Sequence, residues 1–262
     1  MADPIIRFRD VTKVFHRPDG RGDLLAVDRL SFEVAPGEIV AVLGKTGCGK
    51  STMFNLIAGL IEPTSGAVDV IGRNPFREFE SFRGKIGIVF QNDRLMPWRT
   101  ALANVVLGLE ILDREPRQAE TVARGWLERL GLSGHENDYP HALSGGMRQR
   151  VSIARAFAVE PELLLCDEPF SSLDEMTARD LRAEFVRLVR QNGKTAVFIT
   201  HHIGEAMEIG DRIFVCHRPA RIAFEARMNP EVGEGARQQI QEKIFEVLSI
   251  EPPAAAAATS GN

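Results

Sequence analysis

A glycine-rich run near residue 50 carries the residue types best suited to hold phosphate. It fits the pattern G-x-x-x-x-G-K-[ST], in which glycines permit a tight turn and backbone N–H groups face phosphate oxygens. The Lys50 ammonium can reach the β- and γ-phosphates, and the Ser51 hydroxyl can ligate Mg²⁺. A short apolar strand, Ile39–Leu43, precedes the run, and a helix follows it at about 49–59. The predicted nucleotide-binding residues are Gly44, Lys45, Thr46, Gly47, Cys48, Gly49, Lys50, Ser51 and Thr52.

An acidic pair ends an apolar run in the second half of the chain. Leu163–Cys166 reads as a buried strand that delivers Asp167 and Glu168 at its carboxyl end, where open α/β sheets bind their ligands. Asp167 is suited to hold Mg²⁺ beside Ser51, directly or through a water. Glu168 faces the other way along a strand and can polarise a water for attack on a γ-phosphate. Alone, such a pair is more often a solvated strand end; after a phosphate loop it indicates hydrolysis.

A serine and two glycines begin a predicted helix in the run Leu143–Met147. Ser144 is a good N-cap, and the N–H groups behind it form a second site for an anion. One phosphate loop is enough for one nucleotide. A second anion site at Ser144, Gly145 and Gly146 therefore indicates a nucleotide that is held by another copy of the chain. The alternative is an ordinary capped helix start.

Composition narrows the classes of protein. The chain has 262 residues, 44% of them hydrophobic, which is enough for a full globular core. The net charge of −4 gives none of the basic surplus expected of a nucleic-acid binder, so nucleic acid is not expected as a partner. Three scattered cysteines suggest a reducing compartment. No signal sequence and no membrane-length apolar run are seen, so we expect a cytosolic protein or one that docks to a membrane through another.

Short apolar runs alternate with helical patterns, which predicts an α/β fold. We expect a P-loop NTPase core, with a mainly parallel sheet and an antiparallel flank, plus an inserted helical subdomain at about 92–158. The core strands are predicted at Ile39–Leu43, Ile86–Phe90, Leu163–Cys166, Ala196–Ile199 and Ile213–Cys216, the flanking strands at Ile5–Phe8, Ser31–Val34 and Ala67–Ile71, and the helices at about 49–59, 117–131, 145–158, 175–191 and 203–209.

The domain organisation is predicted to be simple. Residues 1–250 are expected to form a single domain that ends in an amphipathic helix over 231–250. Residues 251–262, with two prolines and five consecutive alanines, are expected to be a disordered tail.

Taken together, these runs resemble the ATP-binding subunit of an ABC transporter over nearly the whole chain. Leu143–Met147 matches the signature motif of that family, and Asp167–Glu168 follows at the family's spacing. The remaining matches are Gln91 for the Q-loop, Ser171–Asp174 for the D-loop, Thr200–His201 for the switch histidine and Phe15 for the aromatic residue that stacks on adenine.

The resemblance implies a mechanism. Two copies would enclose two ATP molecules, each phosphate loop facing Ser144 and Gly146 of the other copy, while Asp174 would cross the dimer interface. Glu168 would be the general base, His201 would contact the γ-phosphate, and Gln91 would contact Mg²⁺ or the attacking water. His202 competes with His201 for the switch role, although the Thr-His spacing favours His201. Phe15 can equally be a core residue.

The resemblance also implies partners and a place in the cell. Transmembrane permease subunits would dock near Gln91, a solute-binding protein would act indirectly, and the chain would lie at the cytoplasmic face of the inner membrane. The run around Pro97–Trp98 and the hairpin Arg218–Ile222 resemble the nitrate, sulfonate, taurine and bicarbonate importer group. Trp98 would form an aromatic docking surface. The alternative is that Trp98 packs inside the helical subdomain.

Two other classes of protein fit the sequence less well. A soluble ABC-type ATPase of translation or DNA repair usually has two ATP-binding halves or a coiled-coil insertion, and neither is visible here. A P-loop kinase has no use for Leu143–Met147. The sequence therefore favours an ATPase subunit that powers import of a small solute such as nitrate, taurine or a sulfonate, with ATP and Mg²⁺ as cofactors.

Overall fold

A mixed sheet of six strands forms the centre of the protein. The computed structural model describes residues 3–17, 22–228 and 233–250. In this part of the chain the strand order is β5-β6-β7-β3-β8-β9, parallel throughout except for the antiparallel pair β8-β9. The strands are β3 (Ile39–Gly44), β5 (Ile86–Val89), β6 (Leu163–Asp167), β7 (Thr195–Thr200), β8 (Arg212–His217) and β9 (Arg221–Arg227).

A second sheet has three antiparallel strands, with β1 between its two neighbours. These are β1 (Ile6–Phe15), β2 (Leu24–Val34) and β4 (Ser65–Val70), in the order β2-β1-β4. The predicted antiparallel flank is thus present, with β1 and β2 considerably longer than the apolar runs that signalled them. The long pairing of β1 with β2 brings Phe15 opposite Leu24, at the end of the sheet nearest the phosphate loop.

Seven α-helices lie within the described residues. One follows the phosphate loop, three lie between β5 and β6, and three more follow β6, β7 and β9. They are α1 (Lys50–Ile57), α2 (Ala101–Ile111), α3 (Pro116–Arg129), α4 (Gly145–Ala158), α5 (Glu175–Gln191), α6 (Ile203–Ile209) and α7 (Glu234–Ser249). Among these described helices, none has the length and apolar character needed to cross a bilayer.

The segment 92–158 differs in detail from its prediction. Residues 92–100 form a loop, and the first helix of the segment, α2, was not among the predicted ones. Thr100 caps α2, since its side chain accepts a hydrogen bond from the Ala103 N–H at 3.2 Å. The predicted tail at 251–262 lies outside the described residues. The predicted hairpin at Arg218–Ile222 is the turn between β8 and β9 and the start of β9.

Aromatic side chains hold the segment after β6 against β7 and α5. The Phe170 and Phe198 rings stack with centroids 5.6 Å apart, and the Phe185 ring contacts both. All three side chains are buried. Truncating such a side chain to alanine costs about 3–5 kcal/mol of the free energy of unfolding. This packing fixes the ends of β6 and β7, from which the acidic pair and the switch histidine project.

Candidate active site

The phosphate loop connects β3 to α1 and is closed by its own lysine. Lys50 is buried, and its ammonium donates hydrogen bonds to the carbonyl oxygens of Gly44 at 2.6 Å and Lys45 at 3.1 Å. The ammonium group therefore lies inside the turn of the loop, at the N-terminus of α1. An ammonium and a helix N-terminus both favour an anion at this place.

A cleft of about 290 Å³ opens at this loop and collects most of the predicted phosphate, metal and catalytic residues. One wall is apolar and the other carries the loop and the two acidic side chains. The lining residues are Phe15, Leu24, Leu25, Ala26, Thr46, Gly47, Gly49, Lys50, Ser51, Thr52, Asp167, Glu168 and Arg218. Gly44 and Cys48 do not line it: Gly44 is the last residue of β3, and the Cys48 side chain is buried in the core. Lys45 is exposed and meets the site only through its carbonyl oxygen.

Gly49 is required by the close approach of three segments. Its φ of +107° is in the left-handed region, and a Cβ built there would lie 2.6 Å from both the Ala220 Cβ and the Ala26 carbonyl oxygen. The turn after β8 is itself tied to β2, because the Ala220 N–H donates to the Ala26 carbonyl at 2.8 Å. The β8–β9 turn is thus a fixed wall of the cleft.

The acidic pair has an environment that suits a cation. Burial raises the pKa of the Asp167 carboxyl, and the neighbouring charge of Glu168 adds to the increase, while Lys50 and Arg94 oppose it without cancelling it. A half-buried carboxylate whose charge is incompletely balanced gains stability from a divalent ion. Asp167 and the Ser51 hydroxyl line the same cleft, so this donor set fits Mg²⁺.

Glu168 adopts a left-handed backbone conformation with a φ of +46°. Such a conformation is uncommon outside glycine and is held here by neighbouring bonds. Its N–H donates to the Ile199 carbonyl at 2.9 Å, and its carbonyl accepts from the Ser171 hydroxyl at 3.0 Å. The side chain is directed to His201, whose Nδ1 lies 3.0 Å from Glu168 Oε1. The structure therefore joins the predicted general base to the predicted switch histidine.

Gln91 lies just beyond β5 and is exposed, outside the wall of the cleft. The backbone beside it is held by α4. The buried Gln149 amide donates to the Phe90 carbonyl at 3.2 Å, and Arg155 donates to the carbonyls of Asp93 and Arg94 at 2.7 and 2.8 Å. The segment that carries Gln91 is thus attached to the helix that begins at Ser144.

In the signature run, Ser144 and Gly145 are exposed, Gly146 and Met147 are half-buried and Leu143 is buried. None of them lines the cleft of their own chain, as far as the described residues define it. Ser144 caps α4 by accepting from the Met147 N–H at 3.3 Å. Gly146 lies against α5, because a Cβ there would be 2.8 Å from the Thr177 Cγ2. Asp174 is also exposed and caps α5; the Thr177 N–H donates to it at 3.0 Å and lowers the pKa of its carboxyl.

Some cleft residues carry no signal in the sequence. Leu24, Leu25 and Ala26 belong to a long flanking strand whose apolar residues resemble core, and Arg218 is an exposed arginine in a turn. Only the pairing of β1 with β2 and the bond between Ala220 and Ala26 bring them to the loop.

Trp98 is 71% exposed, so the alternative that it packs inside the helical segment is wrong.

Comparison with known proteins agrees with this geometry. The family described as ABC transporter matches residues 27–171, which is more than half of the chain. The taurine import ATP-binding protein TauB of Yersinia pestis is 41% identical over 190 residues, covering 72% of this chain and 73% of TauB. The nitrate import ATP-binding protein NrtC of Synechococcus elongatus is 40% identical over 205 residues; the match covers 78% of this chain but only 30% of NrtC.

Solved structures give the same fold. A dimeric post-hydrolysis state of the ATP-binding cassette MJ0796, bound to ADP and Pi, superposes with a TM-score of 0.75 at 33% identity, covering 86% of this chain and 99% of that one. CbiO1 of Clostridium perfringens superposes with a TM-score of 0.78 at 24% identity, covering 94% of this chain and 98% of CbiO1. The phosphate loop, the acidic pair and the signature run thus lie in the fold of ATP-binding cassettes, and the chain belongs to the ABC transporter family.

Proposed function

We propose that this chain is the ATP-hydrolysing subunit of an importer and acts through a separate membrane permease. The observation that carries the proposal is the cleft in which Lys50, Ser51, Asp167 and Glu168 meet. ATP hydrolysis is the chemistry of the family, and relatives that resemble this chain are named as ATP-binding proteins of nitrate and taurine import.

The triphosphate is assigned to the loop and the adenine to the apolar wall. Lys50 would exchange its bonds to the Gly44 and Lys45 carbonyls for bonds to phosphate oxygens. Phe15, next to Leu24 across the strand pair, supplies an aromatic face at the apolar wall. Ser51 and Asp167, with Gln91, would hold Mg²⁺, which neutralises charge on the phosphates when bound.

Glu168 and His201 are assigned to the hydrolytic step. The Glu168 carboxylate accepts a proton from the attacking water, as a general base requires. His201, whose Nδ1 lies 3.0 Å from that carboxylate, would orient it and would contact the γ-phosphate. The left-handed backbone of Glu168 supports this assignment, since uncommon conformations concentrate at functional sites.

A second copy of the chain is assigned to the exposed signature residues. Ser144 and Gly145 are exposed at a helix N-terminus that does not line their own cleft, Gly146 behind them is half-buried, and Asp174 is exposed. A helix N-terminus favours an anion. In a head-to-tail pair, these residues would close the cleft of the other copy on its γ-phosphate. MJ0796 is described as dimeric with ADP and Pi bound.

The permease would dock at the loop that carries Gln91. Pro97 and Trp98 are both exposed there, and a large exposed aromatic side chain is typical of an interface centre. The chain itself would lie at the cytoplasmic face of the inner membrane, attached only through the permease. Residues 1–250 would act as one ATPase domain with the helical subdomain at 92–158.

The cargo is proposed to be a small anion of the nitrate, sulfonate or taurine type, delivered by a solute-binding protein. TauB and NrtC support this class through their names. The test is a pull-down of the tagged chain from gently solubilised native membranes, with mass spectrometry. We expect a polytopic permease; ribosomal or DNA-repair proteins in its place would overturn the transport role.

A further inference from the structure

Arg182 lies in the middle of α5 and is 5% exposed, although its guanidinium is charged. The group is shared among three glutamates. It donates to Glu175 at 2.8 Å, to Glu208 at 2.9 Å and to Glu205 at 3.2 Å. Arg182 thus connects the first turn of its own helix with two positions on α6. A buried arginine with this many carboxylate partners is costly to assemble and has no part in the hydrolysis described above.

The Arg182–Glu205 contact is linked to the switch loop, which we define as Thr200–His202. Glu205 is 7% exposed, and its second carboxylate oxygen accepts from the Thr200 hydroxyl at 2.6 Å. The same hydroxyl accepts from the His202 N–H at 3.0 Å. The backbone on both sides of His201 is therefore fixed by one hydroxyl, and that hydroxyl is oriented by Glu205.

The Arg182–Glu175 contact links Arg182 to the start of α5. Glu175 is the first residue of α5 and directly follows the cap, Asp174. Its side chain is 84% exposed, so the contact with Arg182 is all that restrains it among the described residues. In this part of the chain no hydrogen bond or ion pair joins Asp174 or Glu175 to the switch loop directly. The path between them runs through Arg182 and Glu205.

We propose that Arg182 is a positioning residue that couples the start of α5, at Asp174–Glu175, to His201 through Glu205 and Thr200. The inference deepens the proposed function, on which it rests. When a second copy contacts Asp174, displacement of Glu175 changes the bonds of Arg182 and shifts the switch loop. The coupling would make hydrolysis by Glu168 depend on a closed pair.

The coupling is tested by substitutions at exposed glutamates rather than at Arg182. Truncating Arg182 would leave buried carboxylates without a partner and destabilise the fold. Glu175→Ala removes the link to the start of α5. Glu208→Ala is the matched control. Glu208 accepts from the same guanidinium at a similar distance, but it makes no bond to the start of α5 or to the switch loop. Glu175→Gln keeps a hydrogen-bond acceptor and should rescue. Each variant is assayed for kcat, for KM and for ATP affinity.

We expect Glu175→Ala to lower kcat about three- to tenfold with ATP affinity unchanged, and Glu208→Ala to leave kcat within twofold. Equal effects of the two variants on kcat, or no effect of Glu175→Ala, would overturn the coupling. A cycle with His201→Ala gives a second test, in which residual hydrolysis is followed by release of labelled phosphate. Glu175→Ala should add no further loss to His201→Ala; an independent loss of the same size would contradict the path through His201.

The same assays separate this inference from the proposed function. If the parent protein does not hydrolyse ATP, the proposed function fails. If the parent hydrolyses ATP and His201→Ala slows it, while Glu175→Ala behaves as Glu208→Ala, only the coupling through Arg182 fails.

Discussion

His201 Nδ1 lies 3.0 Å from Glu168 Oε1, which joins the residue after β6 to the loop after β7 at one edge of the sheet. Parallel strands deliver their carboxyl ends to the same side, and hydrogen bonds at Ile199 and Ser171 fix the Glu168 backbone. The pair is therefore held in place by the sheet rather than by flexible loops. Glu168 lines the cleft with Lys50, and His201 contacts Glu168 from outside that lining; this arrangement is the basis for the hydrolytic assignment.

Replacing Glu168 by glutamine should separate binding from chemistry. Glutamine keeps the shape and accepts a hydrogen bond but cannot take a proton from water. We expect the steady-state ATPase rate to fall about 10²- to 10⁴-fold, which is the range for a lost general base. ATP affinity, measured by isothermal titration calorimetry, should stay within about threefold of the parent. A rate within tenfold of the parent would show that another group is the base.

The two neighbouring histidines provide a matched pair of variants. His201 and His202 have ring centroids 4.0 Å apart, yet His201 is the one that lies against Glu168. We expect His201→Ala to lower kcat about 10²-fold and His202→Ala to change it less than about threefold. The measurement is release of phosphate at saturating ATP. If His202→Ala is the more damaging variant, the switch role belongs to His202.

In the absence of nucleotide and Mg²⁺, the Asp167→Asn substitution should stabilise the folded protein at pH 7–8. Because burial and Glu168 raise the pKa of the Asp167 carboxyl in the folded state, the ionised form there is disfavoured relative to the unfolded chain. This penalty is present at neutral pH and is relieved as pH falls through the raised pKa, where the folded state binds the proton first.

The melting temperature of Asp167→Asn should therefore exceed that of the parent at pH 8, and the difference should shrink toward pH 4. Thermal unfolding at several pH values measures it. A difference in melting temperature that grows as the pH falls would contradict a raised pKa of the Asp167 carboxyl. Asp167→Asn should also lose Mg²⁺-dependent hydrolysis, the usual exchange of stability for function at an active site.

Arg218 should contribute to nucleotide affinity. It lines the cleft on the fixed β8–β9 turn, and a guanidinium near a triphosphate makes charge-assisted hydrogen bonds. We expect Arg218→Ala to raise the Kd for ATP about three- to tenfold. Arg221→Ala is the control, because Arg221 is an exposed arginine of the same hairpin that does not line the cleft. Equal affinities for the two variants would remove Arg218 from the site.

Trp98 should matter for the permease and not for basal hydrolysis. At 71% exposure it contributes little to the core, so Trp98→Ala should leave the basal ATPase rate and the melting temperature close to the parent. Recovery of permease in pull-downs from native membranes should drop at least tenfold. A collapse of basal activity with normal permease recovery would assign Trp98 to the ATPase itself.

Much of this arrangement could be predicted from residue types and spacing. The strand runs at Ile39–Leu43 and Leu163–Cys166 lie in β3 and β6, and the loop and acidic pair that follow them meet in one cleft. The predictions succeeded because short apolar runs, each ending at a glycine or an acidic residue, are typical of buried parallel strands and too short for helices. Ser144 likewise caps its helix as its type suggests.

Other features needed the folded chain. The helix α2, Ala101–Ile111, is apolar around most of its circumference because it packs between α3 and α4, so it shows no single hydrophobic face. Arg218 reaches the cleft only through the bond between Ala220 and Ala26. Arg182 and Glu205 are distant in sequence, and nothing local signals that they meet.

The central claim is that each nucleotide is closed in by the signature residues of a second copy. The most direct measurement is the mass of Glu168→Gln in solution, with and without ATP and Mg²⁺, beside the double variant Glu168→Gln, Ser144→Arg. We predict a shift from the 29.0 kDa monomer to a dimer only when ATP and Mg²⁺ are present, and no shift for the double variant at unchanged ATP affinity. A monomer at saturating ATP, or a dimer that forms equally well with Ser144→Arg, would contradict the claim.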